Sequence, residues 1–130
     1  MEIEDKLQIQ ELTARYANAM DDSDLDAWLA TWDATGMWRG GLGEFQGFEK
    51  LRELFAALGD RIKNKRHVMT NLVIDGFGDQ AQQRCYMLVF DRVNEPKLIA
   101  SGVYNDHLIK VSGEWKFLER RVALDPSFRP

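Results

Sequence analysis

Residues 98–123, LIASGVYNDHLIKVSGEWKFLERRVA, contain the clearest indication of the fold. This stretch contains two long segments rich in apolar residues, Leu98–Lys110 and Glu114–Ala123, with a Ser112-Gly113 turn signal between them. β-Branched and aromatic residues recur in both segments, and segments of this kind separated by a short glycine-containing turn are typical of antiparallel strands. The stretch therefore predicts a long β-hairpin late in the chain.

The same pattern occurs upstream, at His67–Asp75 and Ala81–Arg92. Short turn signals follow each of these segments, at 76–79 and 94–96. Four long strands joined by short turns predict an antiparallel meander. A brief strand or hairpin fragment is predicted before the meander, at Gly36–Gly43, where an apolar pair precedes a glycine-rich turn.

The first half of the chain has helical periodicity instead. Apolar side chains recur at helical spacing over residues 3–21 and stop at an acidic break, which predicts an amphipathic first helix. Ser23, three residues before Asp26, resembles the cap of a short second helix, and Gly47 and Gly59 bracket a third. The apolar faces assigned to the second and third helices are Leu25, Trp28, Leu29 and Trp32, and Phe48, Leu51, Leu54, Phe55 and Leu58.

Helices followed by strands predict a single α+β domain, residues 1–130, with the helices packed on one face of a curved, mostly antiparallel sheet. The net charge of −4 argues against nucleic acid as a partner, since phosphate binding requires a positive surface. We interpret the short basic cluster Arg61–Arg66 as a solvated turn. No apolar run approaches the length of a membrane span, so no membrane partner is expected, and the acidic N-terminus lacks signal-peptide features.

The small numbers of cysteine and histidine residues limit the kinds of chemical site that the chain can form. Because Cys85 is the single cysteine, a reducing, cytoplasmic location is the default expectation. Two histidines and one cysteine give no metal-site pattern, and the glycines near Gly43 lack the context of a nucleotide-binding loop. Neither a metal nor a cofactor is therefore expected.

Several short motifs along the chain are informative through their order and spacing together. They are Tyr16–Asp21, the helix after Gly47, Arg66-His67, Gly102–Asp106, and Gly113–Phe117 with Arg120. Together they resemble the nuclear transport factor 2-like superfamily and its SnoaL-like group, which includes scytalone dehydratase, lindane dehydrochlorinase and bile-acid 7α-dehydratase. The resemblance implies a cone of helices wrapped by a bent sheet, with a pocket inside that opens at one end. The resemblance indicates less about the reaction, because dehydratases, isomerases, cyclases, dioxygenase small subunits and non-catalytic binding modules all share this fold.

The resemblance also implies a catalytic dyad of Asp21 and His67. Dehydratase-like members place an aspartate at the end of the first helix and a histidine at the start of a strand. A carboxylate bonded to one ring nitrogen fixes the imidazole tautomer and leaves the other nitrogen free to accept a proton. On composition alone, Asp21 is more simply a solvated residue in an acidic corner, and for His67 a surface histidine is an equal interpretation.

Two further residues match functional positions of the group. Tyr16 matches a tyrosine that the bile-acid dehydratase presents to its pocket, which makes it a third catalytic candidate, although a core tyrosine is an equal interpretation. Arg120 corresponds, by its spacing from Trp115, to a pocket arginine of the dehydrochlorinase and is predicted to bind substrate. Strand alternation sends Arg120 and Arg121 to opposite faces, and a bulge decides which one points inward; a solvated Arg120 is the competing interpretation.

Apolar and aromatic side chains are predicted to form the pocket walls. Those assigned to substrate binding are Trp28, Trp38, Met69 and Tyr104, with Phe45, Cys85 and Met87 beside them. Such residues are more often core than ligand site, but the inside of a cone serves as both. A small, apolar, cyclic ligand is therefore the expected partner.

We expect a cofactor-independent lyase of the dehydratase type, or an isomerase, with His67 as the general base. The second catalytic histidine of scytalone dehydratase has no counterpart, because His107 has strand parity opposite to Tyr104 and Asp106. The alternatives are a non-catalytic binding or accessory module, resembling the small subunit of aromatic-ring hydroxylating dioxygenases, and a purely structural dimerisation module. A homo-oligomer, a dimer or trimer, is expected because the outer sheet face of this fold commonly forms a dimer.

Overall fold

Four long strands form the antiparallel meander that the sequence predicts. The computed structural model describes residues 1–129. Each strand pairs with the next along the chain, and the predicted bounds lie within two residues of the observed ones. The strands are β3 (Lys65–Phe77), β4 (Gln80–Asp91), β5 (Lys97–Val111) and β6 (Glu114–Leu124).

A hairpin extends the sheet beyond β6. Its strands are β1 (Trp32–Gly40) and β2 (Gly43–Gln46), which confirms the brief strand or hairpin predicted there. β1 pairs in parallel with β6 and places Trp38 opposite Arg120. The strand order is β2-β1-β6-β5-β4-β3, so the sheet is mixed, open and mostly antiparallel, as predicted.

Three helices cover one face of this sheet and confirm the α+β architecture. They are α1 (Ile3–Asp21), α2 (Leu25–Leu29) and α3 (Gly47–Ile62). α1 packs against β3, and α3 packs against β1. An aromatic-rich core fills the space between these helices and the sheet. Within residues 1–129, none of the helices combines the length and apolar character that crossing a bilayer requires.

The second helix differs from its prediction at both ends. Asp24, not Ser23, is the capping residue, since its side chain accepts a hydrogen bond from the Ala27 N–H at 3.0 Å, whereas Ser23 has a φ of 52°. Trp32 is the first residue of β1 and not part of the helix. Its spacing from Trp28 imitates helical periodicity, but pairing with β6, where Trp32 lies opposite Phe117, decides its conformation.

Two predictions about the third helix are wrong. Gly59 does not end α3, because the helix continues through it to Ile62. Phe48 is 41% exposed and does not belong to the buried face. It lies in the first turn of the helix, directly after the edge strand β2, whereas the buried side chains Leu51, Leu54 and Phe55 lie further along.

Candidate active site

Asp21 and His67 form a buried hydrogen-bonded pair. Asp21 is the last residue of α1, and His67 is the third residue of β3. The distance from His67 Nδ1 to Asp21 Oδ1 is 2.7 Å, and only 4% of Asp21 and 8% of His67 is exposed. The packing of α1 against β3 therefore brings together the two residues that the sequence singled out.

The backbone reinforces this contact. The His67 N–H donates to both carboxylate oxygens of Asp21, at 2.9 and 3.2 Å, and Arg66 Nη1 lies 3.8 Å from Oδ2. These donors offset the partial negative charge of the α1 C-terminus, which disfavours a carboxylate at that position. Asp21 thus holds both the main chain and the ring of His67.

The contact also distinguishes the two ring nitrogens. An ionised carboxylate only accepts hydrogen bonds, so in the neutral imidazole Nδ1 carries the proton and Nε2 keeps its lone pair. No side chain within residues 1–129 hydrogen-bonds to Nε2. Nε2 is therefore the nitrogen that can accept a proton from a ligand.

His67 lines a cavity of about 620 Å³ between the ends of α1 and α3 and the sheet. This is the size of a site for a small organic molecule. Its walls are predominantly apolar. The residues that line it are Met20, Trp38, Gly41, Leu42, Leu58, Arg61, Ile62, Lys65, His67, Met87, Val89, Ile99, Ala100, Tyr104, Val122, Leu124 and Phe128.

The predicted wall residues divide between the cavity and the core. Trp38, Tyr104 and Met87 line the cavity. Trp28 instead lies fully buried among core aromatics, with its ring centroid 5.7 Å from that of Tyr16. Met69 is partly buried and packs against both hydrophobic clusters of the protein. Phe45 and Cys85 also lie outside the cavity lining.

Tyr16 lies one layer behind the cavity wall. It is fully buried, and the rings of Trp28, Trp32, Tyr104 and Phe117 surround it. Its neighbour Tyr104, 6.3 Å away between ring centroids, is the tyrosine that reaches the cavity. Burial raises the pKa of Tyr16, and it raises the pKa of Tyr104 well above its usual value, so both remain protonated phenols at neutral pH.

Arg120 points inward and forms a fully buried ion pair with Asp106. Nε lies 2.8 Å from Oδ1, and Nη2 lies 3.0 Å from Oδ2. The Gln83 amide donates to Asp106 and to Thr13, each at 3.0 Å. A register shift opposite Leu108 brings both Phe117 and Arg120 to the inner face, whereas Arg121 is exposed.

The Arg120 guanidinium lies behind the cavity wall, in contact with two tyrosine rings. Its central carbon lies 3.8 Å from the ring centroid of Tyr104 and 4.4 Å from that of Tyr16. Arg120 itself does not line the cavity. Its charge opposes the rise in the pKa of both tyrosines, for which burial is the largest cause, and so favours negative charge at their hydroxyls.

Several site residues were not found by sequence reasoning. Strand parity placed Asp106 on the same face as Tyr104 and opposite to His107, but nothing in the sequence pointed to Gln83 as the partner of Asp106. Phe128 reaches the cavity from a short 3-10 helix, Pro126–Phe128, in the tail whose order was not predicted. Residues 1–129 contain no cluster of three or more side chains suited to holding a metal ion.

The structure is that of an α+β protein with the cystatin-like fold of nuclear transport factor 2-like proteins, with an apolar cavity between its helices and sheet. Residues 1–121 match the SnoaL-like domain family. Since this match covers most of the chain, the protein belongs to that family, as the sequence motifs indicated.

Solved structures agree with this assignment. A protein of unknown function from Nostoc punctiforme is 34% identical, with a TM-score of 0.94 over 98% of this chain and 96% of that one. A protein of unknown function from Mycobacterium tuberculosis is 31% identical, with a TM-score of 0.86 over 93% of this chain and 72% of that one. LinA, at 21% identity, has a TM-score of 0.83 over 95% of this chain and 87% of its own and shows the fold alone. No curated protein matches the sequence.

Proposed function

We propose that this protein is a cofactor-independent lyase or isomerase that acts on a small cyclic molecule with an apolar body. One observation carries the proposal: His67 lines an apolar cavity while Asp21 occupies its Nδ1, which leaves Nε2 as the available base. The general-base role belongs to His67, and Asp21 orients the ring and stabilises the imidazolium that forms.

The chemistry begins with proton abstraction from carbon. Nε2 of His67 takes the proton, and the electron pair of the broken C–H bond forms a double bond to the neighbouring carbon. In a dehydration, a hydroxyl on that carbon leaves with its bonding electrons and takes the proton back from the imidazolium as water. In an isomerisation, the neighbouring carbon is a carbonyl carbon, and the new double bond displaces its C=O π electrons onto the oxygen to give an enolate. The imidazolium then returns the proton to a different carbon of the conjugated system as the electron pair on oxygen restores the carbonyl. One base suffices for either reaction.

Negative charge on a substrate oxygen requires a donor, and Tyr104 is the phenol in the cavity wall. Its hydroxyl donates to the oxygen as charge develops there. Tyr16 and Arg120 lie behind the cavity wall and act on the substrate indirectly, since both contact the Tyr104 ring. The catalytic part predicted for Tyr16 and the substrate-stabilising part predicted for Arg120 are thus proposed to act through Tyr104.

Turnover of cyclic β-hydroxy and β-halo ketones tests the proposal, because elimination from either produces an enone that absorbs in the ultraviolet. General-base catalysis contributes roughly a hundred- to ten-thousand-fold, so His67→Ala is expected to lose that factor in rate. His107→Ala is the matched control, because His107 is exposed on the outer face of the sheet and is expected to leave the rate unchanged.

Two results contradict the proposal. One is undiminished turnover by the His67→Ala protein. The other is ligand binding by the wild type without turnover of any compound in the series, which favours a binding or accessory module instead.

A further inference from the structure

We propose that the natural ligand carries an anionic group, such as a carboxylate, which Arg61 and Lys65 bind at one end of the cavity. This deepens the proposed function by naming a property of the substrate, and it rests on that function for the identity of the cavity as the substrate site. Of the seventeen residues that line the cavity, Arg61 and Lys65 are the only Lys or Arg side chains, and none is Asp or Glu.

The positive charge at the cavity contrasts with the net negative charge of the whole protein. The chain has 21 acidic and 17 basic side chains, yet the fixed charges at the cavity are both positive. Arg61–Arg66 was expected to be a solvated turn. The turn is shorter than that, because Arg61 lies in the last turn of α3 and Lys65 begins β3, and both side chains reach the cavity.

Neither cation forms an ion pair within the part of the chain that the structure describes. Neither lies within 4.0 Å of an acidic oxygen in residues 1–129, whereas Lys110 and Arg120 are paired with Asp5 and Asp106. The acid opposite Lys65 in the sheet is Asp91, whose carboxylate accepts hydrogen bonds from its own turn.

Two unpaired cations beside apolar walls suit an amphipathic anion. The apolar body of such a ligand fills the cavity, and its carboxylate makes charge-assisted hydrogen bonds to the guanidinium and the ammonium. Arg61 also complements the negative end of the α3 dipole. That effect explains a cation on the helix but not a second one, Lys65, on the adjacent strand.

Strand β3 also sets the distance between the proposed anion site and the proposed base. Lys65 and His67 are two residues apart on β3 and face the same side, so their positions are separated by roughly 7 Å along the strand. The anionic group is therefore expected on the far side of a ring from the carbon that loses its proton. This describes a ring-bearing carboxylic acid of about two fused rings.

Calorimetry with 2-naphthoate and its neutral isostere 2-naphthamide tests the proposal. We use the His67→Ala protein as well as the wild type, so that the result does not depend on proton abstraction. The wild type is expected to bind naphthoate at least about tenfold more tightly than naphthamide, and Arg61→Gln and Lys65→Gln each reduce naphthoate affinity by about fivefold or more. Naphthamide affinity stays unchanged in these variants.

Lys63→Gln is the matched control, since Lys63 lies in the same basic cluster but does not line the cavity. It is expected to retain the preference for naphthoate. Equal affinity of the wild type for the two probes, binding of neither, or an equal loss in Lys63→Gln and Lys65→Gln overturns the proposal. A naphthoate preference that persists in His67→Ala supports it even where no turnover is found.

Discussion

The two ring nitrogens of His67 have different surroundings, and this difference is the basis of its proposed role. Nδ1 faces the carboxylate of Asp21 at 2.7 Å, and the ring lines an apolar cavity. A neutral imidazole held in this tautomer presents a lone pair to a ligand without rearrangement.

Removal of the Asp21 acceptor is expected to change the tautomer of His67. In Asp21→Ala, the ring loses the partner that keeps the proton on Nδ1. Asp21→Asn retains an oxygen able to accept from Nδ1 and is expected to preserve the tautomer. Ring ¹⁵N shifts at mildly alkaline pH distinguish the two forms. Asp22→Ala, at the exposed neighbouring acid, is the control, and an unchanged spectrum in Asp21→Ala contradicts the assignment.

The Asp106–Arg120 pair is expected to dominate the stability of the interior behind the cavity. Removal of one member leaves an uncompensated buried charge, so Asp106→Leu is expected to destabilise the protein by about 3–5 kcal/mol in urea unfolding. The double variant Asp106→Leu/Arg120→Met recovers part of this loss. Arg121→Met, at an exposed neighbour, changes stability by less than about 0.5 kcal/mol. A double variant no more stable than the single one contradicts the explanation.

The Asp21–His67 contact could be anticipated from the sequence, but this ion pair could not. Asp21 and His67 occupy positions set by a helix end and a strand start, which local patterns show. Whether Arg120 points inward depends on the extra residue that β6 accommodates opposite β5, between Phe117 and Glu119. A bulge of this kind results from pairing between strands, and alternation along one strand does not show where it falls.

At the scale of elements, strand periodicity was sufficient for the meander, because each strand is bounded by recognisable turns. It was insufficient for Trp32, whose conformation depends on parallel pairing with β6, more than eighty residues away in the sequence. Gly59 was misleading for a related reason. Glycine is favoured just beyond a helix end, but here the helix continues past Gly59 as far as Ile62, which is buried.

The helical position of Gly59 predicts a stabilising substitution. A Cβ at this position meets nothing within 4 Å, so Gly59→Ala is expected to raise the free energy of unfolding by about 0.5–1 kcal/mol. Gly102→Ala is the contrasting control, because its Cβ lies 2.5 Å from the backbone oxygen of Ala123. Thermal unfolding compares the two. A loss of stability in Gly59→Ala contradicts the helical assignment.

At the scale of the whole molecule, the two faces of the sheet have different properties. The inner face holds the core and the cavity, whereas the outer face exposes His107 and Asn105 on β5, with Val73 and Phe77 on β3. Phe77 is 93% exposed. The homo-oligomer expected from the sequence stays a prediction, which gel filtration at two protein concentrations tests. A monomer at both concentrations contradicts it.

The proposed function depends on proton transfer from carbon to His67, and hydrogen–deuterium exchange at the α-carbon of 2-tetralone in D₂O measures that step. This ketone is apolar, bicyclic and uncharged, so the result is independent of the anion proposed at Arg61 and Lys65. Proton NMR is expected to show faster exchange with the wild type and with His107→Ala, and a loss of at least about a hundredfold in that acceleration with His67→Ala. Equal exchange in the wild type and His67→Ala, or no acceleration by the wild type, would contradict the proposed proton transfer.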